Sequence, residues 1–129
     1  MKKRKILLVD DDTDFTEMIK FHLEIKNDYE VTVLSESKKV METLHAFQPD
    51  VILLDLLMPG IGGIEICEML DKDPLGLSTP VIIISGLNKN VDKLKAYKLG
   101  IADYLVKPVD GNDIINAIEK ALRAKFQQD

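Results

Sequence analysis

The amino-acid sequence predicts one α/β domain, a doubly wound (βα)5 fold in which a five-stranded parallel sheet carries helices on both faces. Two observations lead to this prediction. Five short apolar runs, each typical of a strand buried on both faces, alternate with five segments whose apolar residues recur at helical spacing. No linker, repeat or low-complexity tract interrupts the alternation, so we expect a single domain over residues 1–129. Right-handed crossovers then make the strands parallel.

The predicted strands are short and consist mostly of valine, isoleucine and leucine. In chain order they are Ile6–Val9, Val31–Leu34, Val51–Leu54, Val81–Ile84 and Tyr104–Val106. The third strand has four consecutive apolar residues and therefore no face on which a charge could lie. Asp55, which follows it, must stand at its carboxyl end, where an ionised carboxylate needs a partner.

Each predicted helix has an apolar face. The helices cover Thr13–Ile25, a segment from Ser35 or Ser37 up to Pro49, Gly63–Leu70, Val91–Tyr97 and Asp110–Lys125. Asp12 or Thr13 can cap the first helix and Ser35 or Ser37 the second, because their side-chain oxygens can accept free amides of the first turn. Gly100 occupies the position after the fourth helix that favours left-handed backbone.

Proline and glycine mark two longer loops. Pro59 and the glycines that follow it separate the third strand from the third helix. Residues 72–79 contain Pro74 and Gly76 and precede Pro80, which predicts a loop without regular structure.

Composition argues against several functional classes. The chain is 46% apolar and 30% charged, as expected of an ordinary globular domain, and its net charge of −5 disfavours a nucleic-acid surface. After the basic start, the run Ile6–Val9 is too short for an export signal or a membrane span, so we expect no membrane association and a cytoplasmic location. The single cysteine, Cys67, lies among apolar residues and is predicted to be a small buried hydrophobe rather than a reactive thiol.

Polar residues follow the carboxyl ends of four predicted strands. Asp10 and Asp11 follow the first strand, Asp55 the third, Ser85 the fourth and Lys107 the fifth. Parallel strands bring their carboxyl ends to one edge, so we expect these side chains to converge there. Three clustered carboxylates repel one another, and oxygen ligands without histidine or cysteine favour Mg²⁺ or Mn²⁺ as the compensating ion.

The chemistry that this group supports is phosphoryl transfer. A metal held by Asp10 and Asp11, together with the Lys107 amine and the Ser85 hydroxyl, can neutralise phosphoryl oxygens while a nucleophile attacks in line. An aspartate can be that nucleophile and form an acyl phosphate, and Asp55 is our choice because it stands alone on the middle strand. The simpler interpretation is an ordinary salt bridge between Lys107 and one acid at a sheet edge.

Five motifs, in order along nearly the whole chain, resemble the receiver domain of two-component response regulators, the flavodoxin-like fold typified by the chemotaxis regulator CheY. They are Val9-Asp10-Asp11, Asp55-Leu56-Leu57-Met58-Pro59 with Gly63, Ser85-Gly86, Tyr104 and Lys107-Pro108. The resemblance implies a phosphoacceptor switch rather than a conventional enzyme. Asp55 would be phosphorylated from a phosphohistidine on a sensor histidine kinase or a histidine phosphotransfer protein. Asp10, Asp11, Asp55 and the backbone carbonyl of Leu57 would surround Mg²⁺.

The resemblance also implies how phosphorylation is signalled. Ser85 would swing toward the phosphoryl group and Tyr104 would turn inward, altering the face formed by the fourth helix, fifth strand and fifth helix. That face would bind a downstream effector protein, a missing C-terminal output domain or a second copy of the chain, and the sequence leaves these open. The Lys107-Pro108 bond is expected to be cis.

Some loop positions differ from the family pattern. Gly62 stands where an aspartate is common, which should affect backbone freedom more than chemistry. The residues two positions after Asp55 and Ser85 are Leu57 and Leu87, both apolar. In the family that the chain resembles, members with polar side chains at these positions tend to place the water that hydrolyses the acyl phosphate, so we predict slow autodephosphorylation.

One alternative is a phosphatase of the haloacid dehalogenase type. Asp10 and Asp12 stand one residue apart after a strand, as do the nucleophile and general acid of those enzymes. The pattern is imperfect, because Asp14 stands where threonine or valine is expected. It also leaves Asp55 unexplained.

A second alternative is a flavin-binding module of flavodoxin type, which the topology also suits. The first loop would then have to cradle a phosphate. It contains three consecutive aspartates, which should repel a phosphate unless a metal is present.

Overall fold

The computed structural model describes residues 2–26 and 28–127, and of Gln127 only the backbone. It confirms the predicted α/β class with one parallel sheet of five strands in the order β2-β1-β3-β4-β5. The strands are β1 (Arg4–Val9), β2 (Tyr29–Leu34), β3 (Val51–Leu54), β4 (Val81–Ser85) and β5 (Asp103–Val106). The other four residues of the predicted domain, Met1, Asn27, Gln128 and Asp129, lie outside the described residues.

Among the described residues, five helices of eight residues or more connect or follow these strands. They are α1 (Thr13–Glu24), α2 (Val40–Phe47), α3 (Gly63–Asp71), α4 (Asn90–Lys98) and α5 (Gly111–Gln127). A 3₁₀ turn at Ser37–Lys39 precedes α2, and a one-turn helix at Pro74–Leu77 lies between α3 and β4. Within the part of the chain that the structure describes, no helix combines the length and apolar character needed to cross a membrane.

The sheet separates two apolar cores. Alternate residues of each strand point to opposite faces, so that Ile6 and Leu8 pack toward α1 and α5 while Leu7 and Val9 pack toward α2, α3 and α4. All four residues of β3 are completely buried, as predicted for a strand covered on both faces. Burying each such side chain contributes roughly 1.5–3 kcal/mol, which fixes the sheet that carries the site.

The predicted loop at residues 72–79 contains a helical turn, so that prediction is wrong in part. The Asp73 carboxylate accepts the amides of Leu75 at 2.9 Å and Gly76 at 3.2 Å, and Pro74 occupies the first helical position. A proline there loses no hydrogen bond, and an aspartate before it is a favourable N-cap. Proline and glycine often interrupt helices, but here Pro74 begins one.

Two cap predictions had different outcomes. Asp12 caps α1, because its Oδ1 accepts the Phe15 amide at 3.1 Å. Neither predicted serine caps α2, because the 3₁₀ turn that precedes the helix contains Ser37 as a buried residue. The N-cap residues are Glu36 for the 3₁₀ turn and Lys39 for α2, and neither forms a side-chain cap hydrogen bond. Gly100 follows α4 with φ of +84°, as predicted.

Cys67 lies on the buried face of α3 and is 3% exposed, which confirms its prediction as a buried hydrophobe. Burial raises the pKa of its thiol to about 11. Because the thiolate is the form that attacks a disulfide reagent, we expect negligible labelling of the folded protein at mildly alkaline pH and complete labelling after unfolding in guanidinium. Absorbance of the released thiolate measures both; rapid labelling of folded protein would contradict the prediction.

Candidate functional site

The candidate site lies at the carboxyl edge of the sheet, where the strand order reverses between β1 and β3. Asp10 and Asp55 are the first residues after these two adjacent strands, and the Asp55 amide donates to the Val9 carbonyl at 3.0 Å. This bond extends the pairing of the strands by one step and holds the two aspartates side by side. Asp10 is 2% and Asp55 6% exposed, so both carboxylates sit in a pocket with little solvent.

Three carboxylates form a cluster here, the buried Asp10 and Asp55 and the exposed Asp11. Asp10, Asp11 and Asp55 each offer an oxygen, and these atoms lie within 4.8 Å of one another. Backbone amides fix one oxygen of two of them: the Asp12 amide donates to Asp10 Oδ1 at 3.0 Å, and the Leu57 amide donates to Asp55 Oδ1 at 3.1 Å. The donor set contains only oxygen, which suits a hard divalent cation such as Mg²⁺.

Lys107 joins the cluster from the end of β5. Its Nζ lies 2.8 Å from Asp10 Oδ2 and 3.5 Å from Asp55 Oδ2. Its backbone is held in turn, because the Lys107 amide donates to the Ser85 carbonyl at 2.8 Å, and the following bond to Pro108 is cis, as expected. Burial opposes the charge of the ammonium, but the Asp10 hydrogen bond and both carboxylates outweigh it and raise the pKa of Lys107.

The electrostatics of Asp55 favour a cation. Burial raises the pKa of its carboxyl above the ordinary value, the Leu57 amide opposes that rise, and the charge of Asp10 adds to it while Lys107 lowers it. One ammonium therefore incompletely compensates the carboxylates, two of which are buried. A divalent cation at these oxygens would remove the remaining repulsion.

The two predicted switch residues are bonded to the same backbone segment. Ser85 is fully buried, and its Oγ accepts the Leu87 amide at 3.3 Å. Tyr104 is 8% exposed, and its hydroxyl donates to the Leu87 carbonyl at 2.6 Å. Both side chains therefore hold the loop between β4 and α4 through one residue, Leu87.

The five polar residues predicted at the strand ends thus lie together, and their functional roles remain predictions. The Asp12 carboxylate, which the phosphatase alternative needs as a general acid, instead caps α1. Sequence reasoning missed Phe15, whose ring centroid lies 4.4 Å from Lys107 Nζ. Its helical spacing marked it only as part of an apolar face, because nothing in the sequence signals a contact with a lysine at the far end of the chain.

Comparison with known proteins identifies the class to which this fold and pocket belong. The profile of the response regulator receiver domain family matches residues 6–119, and the chain belongs to that family. This assignment leaves the phosphatase alternative without support.

Solved structures agree with the family assignment. A response regulator receiver domain protein from Clostridium thermocellum is 31% identical over 98% of this chain and 99% of that chain, with a TM-score of 0.87. The BeF3-activated N-terminal receiver domain of Klebsiella pneumoniae RstA is 25% identical over 93% and 99%, with a TM-score of 0.82. A CheY-like receiver domain protein from Methanospirillum hungatei shares the fold at 24% identity over 99% and 100%, with a TM-score of 0.91.

Gly63 controls how closely α3 approaches the loop after Asp55. A Cβ at this position would lie 2.5 Å from Leu56 Cα and 2.8 Å from the Asp55 carbonyl oxygen. We therefore expect Gly63→Ala to lower the free energy of unfolding by about 1–3 kcal/mol, because backbone rather than a flexible side chain must move. Urea unfolding measures the loss.

The matched control for this substitution is Gly62→Ala. A Cβ there meets only the Glu65 Oε1 atom at 3.7 Å, and the φ of Gly62 is −71°. Its free energy of unfolding should stay close to that of the parent. Equal losses in the two variants would contradict the close-approach explanation.

Proposed function

We propose that this chain is the phosphoacceptor switch of a two-component system, in which Asp55 receives a phosphoryl group from a phosphohistidine on a sensor histidine kinase or histidine phosphotransfer protein. The observation that carries the proposal is the clustering of Asp10, Asp11 and Asp55 around one end of the sheet with the Lys107 ammonium between two of them. Family membership supports the same role. Residues 1–129 then constitute one receiver domain.

In the proposed reaction, one oxygen of Asp55 attacks the phosphorus of the donor. A bond forms between this oxygen and phosphorus, the phosphorus–nitrogen bond of the phosphohistidine breaks, and the imidazole nitrogen leaves with the electron pair. The Leu57 amide donates to Asp55 Oδ1, and Lys107 donates to Asp55 Oδ2. Oδ2 is therefore the oxygen suited to attack, since a phosphoryl group bound to it would lie beside the ammonium. The ammonium of Lys107 and the hydroxyl of Ser85 stabilise charge on the phosphoryl oxygens.

The acidic cluster would hold Mg²⁺ or Mn²⁺, with Asp10, Asp11, Asp55 and the backbone carbonyl of Leu57 as ligands. The donor set fits such an ion, since all of these groups offer oxygen and the three carboxylates are already close. When bound, the cation supplies positive charge that offsets the negative charge of the phosphoryl group and of the carboxylates.

Signalling would proceed through the loop between β4 and α4. If Ser85 Oγ moves toward a phosphoryl group on Asp55, it releases the Leu87 amide, and the carbonyl of the same residue is the partner of Tyr104. The change reaches α4, which exposes Val91, Leu94 and Tyr97. The α4-β5-α5 face would then bind an effector protein, an output domain or a second copy of the chain.

The test is intact mass after incubation with acetyl phosphate, in the presence and absence of Mg²⁺, followed by fragmentation to locate the adduct. The proposal expects one added phosphoryl group, dependent on Mg²⁺ and located on Asp55. No adduct in protein whose Mg²⁺ binding is shown by calorimetry, or an adduct elsewhere, would contradict it.

Leu57 and Leu87 should make the phosphorylated state long-lived. Leu57 is 55% exposed beside the site, and neither leucine side chain can orient a water for attack on the acyl phosphate. We expect Leu57→Asn to shorten the phosphoryl lifetime by about tenfold, because an amide can position that water. Loss of the mass adduct with time after removal of the phosphodonor measures the lifetime.

The control is Leu57→Met, which keeps the position apolar and should leave the lifetime unchanged. A parent lifetime of seconds that Leu57→Asn does not alter would show that these side chains do not limit hydrolysis.

A further inference from the structure

The ring of Phe15 lies against the ammonium group that the proposed reaction uses. Lys107 Nζ is 4.4 Å from the ring centroid, and among the four cation–ring contacts of the described residues this is the shortest, the others measuring 4.9–6.0 Å. A cation over the face of an aromatic ring at this distance is attracted by the negative charge of the ring face.

The position of Phe15 is fixed from two sides. Its amide donates to Asp12 Oδ1 at 3.1 Å, which ties the first turn of α1 to the loop that carries Asp10 and Asp11. Its side chain packs against the apolar core beneath α1 and α5. The ring is therefore held by the fold and does not depend on Lys107 for its place.

A metal ion bound at the site would weaken the ion pairs of Lys107 with the carboxylates but not its contact with the Phe15 ring. The two carboxylate oxygens that pair with its Nζ, at 2.8 and 3.5 Å, belong to Asp10 and Asp55, which are themselves proposed metal ligands. A cation bound at these carboxylates weakens both ion pairs by like-charge repulsion, whereas the neutral ring keeps its attraction for the ammonium. Without these contacts, the Lys107 side chain would extend into water, because an ammonium group is strongly hydrated.

We propose that Phe15 is a positioning residue, whose ring holds the Lys107 ammonium beside Asp55 when the carboxylates are engaged by metal. The inference rests on the proposed phosphorylation of Asp55 and adds to it a residue that touches neither metal nor phosphoryl group. The attraction to the ring, rather than the ion pairs alone, then sets how often Lys107 is in place for transfer.

The first experiment detects the contact without any reaction. In metal-free protein, the ring current should shift the Lys107 ε-methylene proton signals upfield, and Phe15→Leu should return them to ordinary values. The matched control is Phe21→Leu on the same helix, since Phe21 is 68% exposed and its loss should leave the Lys107 signals unchanged. Ordinary Lys107 shifts in the parent protein would overturn the inference.

The second experiment separates the electrostatics of the ring from its shape. We expect Phe15→Leu to slow phosphorylation by acetyl phosphate about fivefold at saturating Mg²⁺, and Phe15→Tyr to keep the parent rate, because tyrosine retains the ring face. Site-specific mono-, di- and trifluorinated phenylalanine at position 15 should slow the reaction progressively, since fluorine withdraws charge from the ring without altering its packing much. A purely structural role predicts no such gradient.

The outcomes separate this inference from the proposed function. If the parent protein is phosphorylated on Asp55 and the fluorinated series shows equal rates, the positioning role is wrong and the proposed function stands. If the parent protein gains no phosphoryl group on Asp55, the proposed function fails and takes the inference with it, whatever the Lys107 signals show.

Discussion

Asp55→Asn is expected to abolish phosphorylation completely. The amide has nearly the shape of the carboxylate, and its oxygen can still accept the Leu57 amide that holds Asp55 Oδ1 at 3.1 Å. It is not a useful nucleophile, however, and it cannot form an acyl phosphate. Intact mass after incubation with acetyl phosphate and Mg²⁺ should show a full adduct on the parent protein and none on the variant.

The matched control is Asp12→Asn, two residues beyond Asp10. Asparagine is as good an N-cap as aspartate, so the Phe15 amide keeps its partner and α1 keeps its first turn. This variant removes the same charge from the same edge of the sheet and should still be phosphorylated. An adduct on Asp55→Asn, or its absence from Asp12→Asn, would show that another acid accepts the group.

A measurement of the free energy of unfolding tests whether Asp55→Asn loses phosphorylation because it unfolds. The pKa of Asp55 is raised in the folded protein, chiefly by burial, so ionising this group costs more in the folded than in the unfolded chain. This loss of folding free energy is absent when the pH lies below the pKa of Asp55 in the unfolded chain. It develops as the pH rises through the pKa of Asp55 in the folded protein, and it persists at higher pH. Without metal, Asp55→Asn should therefore exceed the parent in free energy of unfolding near neutral pH, and the difference should close in acid.

Lys107→Met is expected to have opposite effects on catalysis and on metal binding. Removing an ammonium 3.5 Å from Asp55 Oδ2 takes away a donor for the phosphoryl oxygens, and loss of one such group typically slows a reaction about a hundredfold. It also leaves the carboxylates of Asp10 and Asp55 without their cation, so Mg²⁺ should bind about tenfold more tightly. Calorimetric Mg²⁺ titration and the rate of adduct formation measure the two effects.

Lys120→Met provides the control for net charge. Lys120 is an exposed residue of α5, and its replacement removes one positive charge without touching the site. Both the rate and the Mg²⁺ affinity should stay near the parent values. If Lys107→Met weakened Mg²⁺ binding, the ammonium could not be a competitor of the metal for these carboxylates.

Features of the fold that depend on local sequence pattern could be predicted from the sequence, and features that depend on long-range contacts could not. The strands were found because completely buried strands such as β3 need uninterrupted apolar runs. The start of β2 was missed by two residues, since Tyr29 extends the strand and its hydroxyl donates to Glu119 on α5, a contact that no local pattern encodes. The one-turn helix at Pro74–Leu77 could not be predicted, because a proline is compatible both with the end of a helix and with its first position.

The same distinction applies to the site. Asp10, Asp11, Asp55, Ser85 and Lys107 could be placed together because parallel strands order their carboxyl ends along one edge, whatever the details of packing. The contact of Phe15 with Lys107 and the shared bonding of Ser85 and Tyr104 to Leu87 depend on how helices and loops settle on that edge. No sequence pattern encodes these contacts.

The two backbone hydrogen bonds of Leu87 allow the lifetime of the proposed signal to be considered apart from its transmission. Its backbone N–H and C=O are the partners of Ser85 and Tyr104, whereas its side chain lies at the position expected to govern hydrolysis of the acyl phosphate. Every residue except proline supplies the same backbone groups. Under the proposed function, substitutions at position 87 should therefore change the lifetime of the acyl phosphate while the two backbone hydrogen bonds proposed to transmit the signal stay in place, so that persistence and transmission could change independently during evolution or redesign.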